Sequence, residues 1–185
     1  MPPRRRLLPC ALGLPVVWAV ATTGACRGEP IEGRCELPEG AVAQTNEGWA
    51  HENDPVAHVY AANPPSSGPH YPVWASWGAH EDVVERGLWV HNLEHGGIVL
   101  LVGASASAEA EAELRAAFDA IPDDADCGHR RTLLTRDPGL DDPVAAVAAD
   151  VVLVPGPLDG GVLSRDRVVA FAVACRDHAP EDVCP

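Results

Sequence analysis

Six of the eight histidines in this 185-residue chain fall between His51 and His95, and such density is a starting point for chemistry. Imidazole nitrogens bind borderline divalent metals, move protons near neutral pH, or hold buried hydrogen-bond networks together. Two strings carry the cluster: Asn63-Pro64-Pro65-Ser66-Ser67-Gly68-Pro69-His70 and, further on, His91-Asn92-Leu93-Glu94-His95-Gly96-Gly97. His91-x-x-Glu94-His95 matches the inverted zinc-protease pattern, in which two histidines bind zinc and the glutamate activates water. Geometry decides whether the two histidines can share an ion. One helical turn puts them on the same face. An extended strand holds them about 13 Å apart, too far for bonds near 2 Å. Gly96-Gly97 and the apolar run behind them predict one turn at most, which speaks against a metalloprotease.

A more modest reading asks only that several imidazoles converge. His70, His91 and His95 are its core donors, and His51 completes the set, with His58 as the alternative. Glu94 is a fourth ligand, a partner fixing a histidine tautomer, or a general base. The only methionine is the initiator and no free cysteine is expected in the mature chain, so zinc or copper(II) is favoured over copper(I). Two readings compete with it: a structural hydrogen-bond network without ligand, and a metal-dependent hydrolase with Glu94 as its catalytic group. Binding is favoured over catalysis, because a single short motif is weak evidence for an enzyme; serine catalysis is the least supported, since no nucleophile elbow surrounds Ser66 or Ser67. His80, beside Glu81 and Asp82, reads as a surface residue, and His129 and His178 have no supporting pattern.

The elements that position these residues follow from proline content and periodicity. Pro64, Pro65, Pro69 and Pro72 make Ala61–Pro72 a stiff loop, walled by Tyr60, Tyr71, Trp74, Trp77 and Trp89. Strands are predicted at Val56–Tyr60, Leu88–His91, Gly97–Val102, Thr132–Arg136, Val151–Val154 and Arg167–Ala174. The continuous apolar character of Gly97–Val102 marks it as buried on both faces. The main helix is expected over about 107–121, with Ser107 as its N-cap and Pro122 as its stop. A short alanine-rich second helix is expected over Asp142–Ala149. The fold class is α+β, one domain around a mainly antiparallel or mixed sheet.

Residues 1–25 read as a signal peptide, with Arg4-Arg5-Arg6, an apolar stretch of about 15 residues too short to span a bilayer, and small residues before Cys26. Thr23-Gly24-Ala25-Cys26 is similar to a lipobox, so Cys26 is expected to carry lipid and tether an envelope lipoprotein to its membrane, plain secretion being the alternative. Residues 26–48 form a tether and lead-in, and 49–185 the globular domain. Cys35, Cys127, Cys175 and Cys184 are then an even set in an oxidising compartment. The expected pairing is Cys175–Cys184 with Cys35–Cys127. All 13 basic residues are arginine, against 27 acidic ones. Three of those arginines lie in the leader, leaving the mature part near −17, which repels nucleic acid and anionic headgroups. Protein partners do not follow from the sequence.

The Asn63–His70 string, then Trp77-Gly78, then Val90-His91-Asn92-Leu93-Glu94-His95-Gly96-Gly97 resembles the bacterial family called "domain of unknown function 3105". The resemblance is closest over Tyr60–Val102. The family's upstream histidine and the tyrosine before its proline loop are matched by His51 and Tyr60. Where the family tends to carry a tyrosine two residues after Gly78, this chain has His80. The resemblance implies an exported or membrane-anchored protein whose core site is His70, His91, Glu94 and His95, and it implies no activity.

Overall fold

Ile98-Val99-Leu100-Leu101-Val102-Gly103 has no polar side chain, so it must lie where both faces of a strand are covered. In the computed structural model, which describes residues 35–54, 58–181 and 183–184, this segment is a central strand of a six-stranded mixed sheet. The strands are β1 (Ala41–Ala43), β2 (Gly78–Ala79), β3 (Ile98–Gly103), β4 (Thr132–Asp137), β5 (Val144–Ala148) and β6 (Val151–Leu153), in spatial order β1-β6-β5-β3-β4-β2. β3 runs parallel to β4 and antiparallel to β5, with Leu100 opposite Leu134 and Ala146. β5 and β6 form a tight hairpin, and β1 closes one edge antiparallel to β6.

Alternation along β3 sorts its side chains into two apolar layers. Ile98, Leu100 and Val102 join Leu114 and Phe171 on one face; Val99 and Leu101 join Trp89, Val90 and Leu93 on the other. Helices α2 (Ala108–Ala120) and α3 (Arg165–Cys175) cover the first face, and α1 (Arg86–Glu94) with Trp49, Tyr60, Ala75 and Trp77 covers the second. The main helix forms where expected. The Ser107 side chain accepts from the Ala110 N–H, satisfying one of the donors a helix start leaves open.

Three expectations about elements are corrected, and a fourth lies partly outside the described residues. Leu88–His91 is not a strand: it lies within α1, whose Trp89, Val90 and Leu93 pack on the sheet. Arg167–Ala174 is likewise helical. Val168, Phe171, Ala172 and Cys175 recur at helical spacing and are all buried, a period that outweighs the β-branched content. Asp142–Ala149 is not a helix but contains β5, buried along its length between β3 and β6. There the demand for a central strand overrides alanine's helix propensity, and α2 and α3 pack against one of its faces. The predicted strand at Val56–Tyr60 begins outside the described residues, and His58, Val59 and Tyr60 are irregular.

Cys35, Cys127, Cys175 and Cys184 are all bridged, but as Cys35–Cys175 and Cys127–Cys184. Cys175 lies on the inward face of α3 and meets the equally buried Cys35, leaving Cys184 to pin the C-terminal segment to the loop after α2. Such bridges fit an oxidising environment outside the cytoplasm. Among the described residues no helix is long and apolar enough to cross a membrane. The leader, Cys26 and the tether through residue 34 lie outside the described residues.

Candidate functional site

The glycines after His95 do not shorten the element before them; they end it. Gly96 takes φ of 75°, in the left-handed region glycine adopts without penalty. Its N–H donates to Leu93 O and the Gly97 N–H donates to Asn92 O, both at 3.0 Å, the two bonds of a Schellman stop. Gly97 is required for a different reason: a Cβ there would collide with the Trp77 indole and with Asn92 O. α1 is therefore nine residues long, and His91, Glu94 and His95 project from two successive turns of its end. The Asn92 side chain ties the helix to the aromatic wall by donating to Ala75 O and accepting from Ala75 N.

The proline loop is anchored at nearly every residue. Asn63 donates to Gly139 O and accepts from Arg86, which also pairs with Asp137. Pro64 O, Ser66 O and Ser67 Oγ accept from Gln44, Asp150 N and Glu47 N. Tyr60 donates to Pro69 O at 2.7 Å, and burial with the nearby Glu47 carboxylate pushes its phenol up to about 12. The loop ends in a short parallel bridge between His51 and His70, with the Glu52 N–H donating to His70 O and the His70 N–H to Ala50 O. That bridge brings His51 to the site; His58 lies apart, 3.6 Å from Glu47.

Three imidazoles converge on one carboxylate oxygen. Glu94 Oε2 is 3.1 Å from His70 Nε2, 3.2 Å from His51 Nε2 and 3.8 Å from His91 Nε2. The four ligand-capable atoms lie within 4.8 Å of one another. His70, His91 and Glu94 are buried, while the His51 side chain is 47% exposed and forms the outer wall. The far nitrogens are held by backbone carbonyls: His70 Nδ1–H donates to Gly68 O at 2.9 Å and His91 Nδ1–H to Tyr71 O at 2.7 Å. Carbonyls cannot donate, so each ring carries a proton on Nδ1 and turns Nε2 inward, where the neutral form presents a lone pair. Burial, with the neighbouring His70 and His95, outweighs the Tyr71 bond and the Glu94 charge and holds His91 below the ordinary histidine range, which favours the neutral ring.

His95 occupies a different position from that expected. Its Nε2 is 2.8 Å from His91 Nε2, and because the His91 proton is committed to Tyr71, His95 Nε2–H must be the donor. Trp74 packs edge-on against both rings. His95 is thus the neighbour of the four-atom set and His51 its fourth member. The objection to the protease string also changes: His91 and His95 do share a helical face, but Glu94 turns its carboxylate into the imidazoles instead of standing off as a base.

Two residues were not singled out by sequence. Arg131, 3% exposed, donates from Nη1 to His95 O at 2.5 Å and to Val183 O at 3.1 Å, and pairs with Asp124 and Asp177. Its only sequence signal is position, an arginine immediately before a strand. Glu181 Oε2 is 3.8 Å from His95 Nδ1, and its N–H donates to Glu94 O. It stands just before Cys184, whose bridge holds that segment in place. His80 accepts no role here: it is bonded to Ser76 O outside the cluster, and His129 to Cys127 O.

No match was found among curated proteins or among solved structures. Residues 51–183, which contain the proline loop, α1, the four-atom set and Glu181, match a protein family, and the chain belongs to that family, described as "Protein of unknown function (DUF3105)".

Proposed function

We propose that the domain binds a divalent transition metal, zinc or copper(II), through His51, His70, His91 and Glu94. The observation that carries the reading is the convergence of lone pairs. Gly68 O and Tyr71 O hold protons on Nδ1 of His70 and His91, so in their neutral forms both rings present bare Nε2 atoms to Glu94 Oε2. A proton placed between Glu94 and one ring satisfies one such contact; a cation at the centre satisfies all of them. Donors at 2.0–2.1 Å around a tetrahedral ion lie about 3.3–3.4 Å from one another. The separations of 3.1, 3.2 and 3.8 Å from Glu94 Oε2 bracket that value. Carbonyl bonds on the far nitrogens are also what fixes and orients metal-ligating histidines. The partly exposed His51 gives an ion a way in.

The leader with its lipobox-like Thr23-Gly24-Ala25-Cys26 supports a lipid-anchored envelope protein, and the two disulfides agree with export. The test is elemental analysis of the purified mature protein, as isolated and after loading with zinc(II) or copper(II) and exhaustive dialysis. At least one equivalent is expected, and His70→Ala should bind one equivalent fewer. Substoichiometric metal under every condition sinks the reading in favour of a structural network. That network also predicts that chelator leaves the melting temperature unchanged.

A further inference from the structure

Beyond the four-atom set, Glu94, His95 and Glu181 form a second group whose ligand-capable atoms lie within 4.8 Å of one another. His95 is 5% exposed, and its Nδ1 has no hydrogen-bond partner among the described residues. Its tautomer follows from the chain of bonds already described. Tyr71 O accepts from His91 Nδ1–H, so His91 Nε2 accepts from His95 Nε2–H, and in the neutral ring His95 Nδ1 is left as a bare lone pair. A buried lone pair without a donor is costly, and here it is aimed at Glu181 Oε2 3.8 Å away, an atom that also lacks a proton to give. Two ligands on one ion with bonds of 2.0–2.1 Å lie between about 2.9 Å, at a right angle, and about 4.2 Å, at opposition. The His95–Glu181 separation falls inside that window.

The surrounding structure holds these atoms in place. Glu181 is fixed by its N–H donating to Glu94 O and by the Cys127–Cys184 bridge three residues on. The end of α1 is fixed by the Schellman stop and by Arg131 on His95 O. Glu94 has two carboxylate oxygens, of which Oε2 faces the three imidazoles.

We infer that Glu94, His95 and Glu181 form a second divalent-cation site, next to the first and sharing Glu94 as a bridging carboxylate. One histidine with two carboxylates is a harder donor set than three histidines with one, and suits zinc or manganese better than copper. The inference rests on the first-site reading only through the shared Glu94.

The experiment measures zinc(II) stoichiometry, by elemental analysis and calorimetric titration, on the full mature protein and on Glu181→Gln and His70→Ala. Two equivalents are expected for the parent and one for Glu181→Gln, whose side chain is 56% exposed and whose backbone bond survives the change. His70→Ala should lose the other equivalent and keep the Glu181-dependent one. A parent that binds a single equivalent, unchanged in Glu181→Gln, overturns the second site and leaves the first standing. Two equivalents in Glu181→Gln also overturn it. No binding by the parent overturns both.

Discussion

Replacing Arg131 by methionine should be among the most damaging single changes available to this domain. The guanidinium is 3% exposed and Asp124 is 2% exposed, with Nε to Oδ2 at 2.7 Å and Nη2 to Oδ2 at 2.6 Å. Deleting one partner of a buried pair typically costs about 3–5 kcal/mol, because the surviving charge keeps its desolvation penalty. Here Asp124 would retain only the N–H groups of Asp126 and Cys127. The same change strips His95 O of its donor, a loss of about 1–3 kcal/mol for a buried carbonyl. Against a total stability of about 5–15 kcal/mol, Arg131→Met should move the urea midpoint far down. Adding Asp124→Asn removes the stranded charge and should recover half or more of the loss.

The pH dependence gives a second readout of the same pair. Burial pushes the Asp124 carboxyl up, but the Asp126 N–H and the Arg131 guanidinium overcome it and hold the group below its ordinary 3.8. A depressed folded value stabilises the native state above the unfolded value and loses that contribution as pH falls through the folded one. Without Arg131 the largest remaining influence is burial, which raises the group, so acidification costs the variant less than the parent. The stability gap between parent and Arg131→Met should therefore narrow from pH 7 toward pH 4. Urea unfolding followed by circular dichroism across that range measures it. A gap below about 1 kcal/mol at pH 7, or one that stays constant with pH, would refute the buried-pair argument.

Three further outcomes follow from the structure. Gly97→Ala should destabilise by about 1–3 kcal/mol, the range for overpacking, since the new methyl meets Trp77 and Asn92 O; denaturant unfolding reads the loss, and shrinking Trp77 in the same chain should restore part of it. Both tyrosines, Tyr60 at about 12 and Tyr71 raised by desolvation and its bond to Glu85, should resist ionisation, so phenolate absorbance should rise later than the ordinary midpoint near 10 while the protein is folded. Converting Cys35 and Cys175 to serine opens a bridge between residues 140 apart, worth about 5 kcal/mol by chain entropy, and thermal unfolding should show a drop of that order.

How much of this was legible depended on which signal was strongest locally. β3, β4 and α2 carry unambiguous patterns: an unbroken apolar run, a short β-rich run, and an amphipathic stripe behind a serine cap. α1 and α3 were misread because Trp89, Val90, Val168 and Val169 resemble strand composition, while the deciding signals were helical spacing and a glycine stop. β5 was misread in the opposite sense, since its alanines acquire their meaning only from neighbours on both sides. The histidine cluster was visible from density alone. Its division between His51 and His95 was not, because it depends on a bridge between His51 and His70 and on which carbonyl takes each ring proton. Disulfide pairing was equally out of reach, since neither partner of Cys35 or Cys127 is near it in sequence.

The Cys127–Cys184 bridge has a bearing on how the protein must be prepared. In a reducing host the segment carrying Glu181 and Val183 keeps the Glu181–Glu94 and Arg131–Val183 bonds but loses its covalent tie. Material made that way is a different specimen around the end of α1 from material oxidised in an exported compartment. A metal count taken on it speaks for the reduced chain alone. Verification of both bridges by mass spectrometry belongs ahead of any stoichiometry, so that the oxidised molecule is the one being weighed.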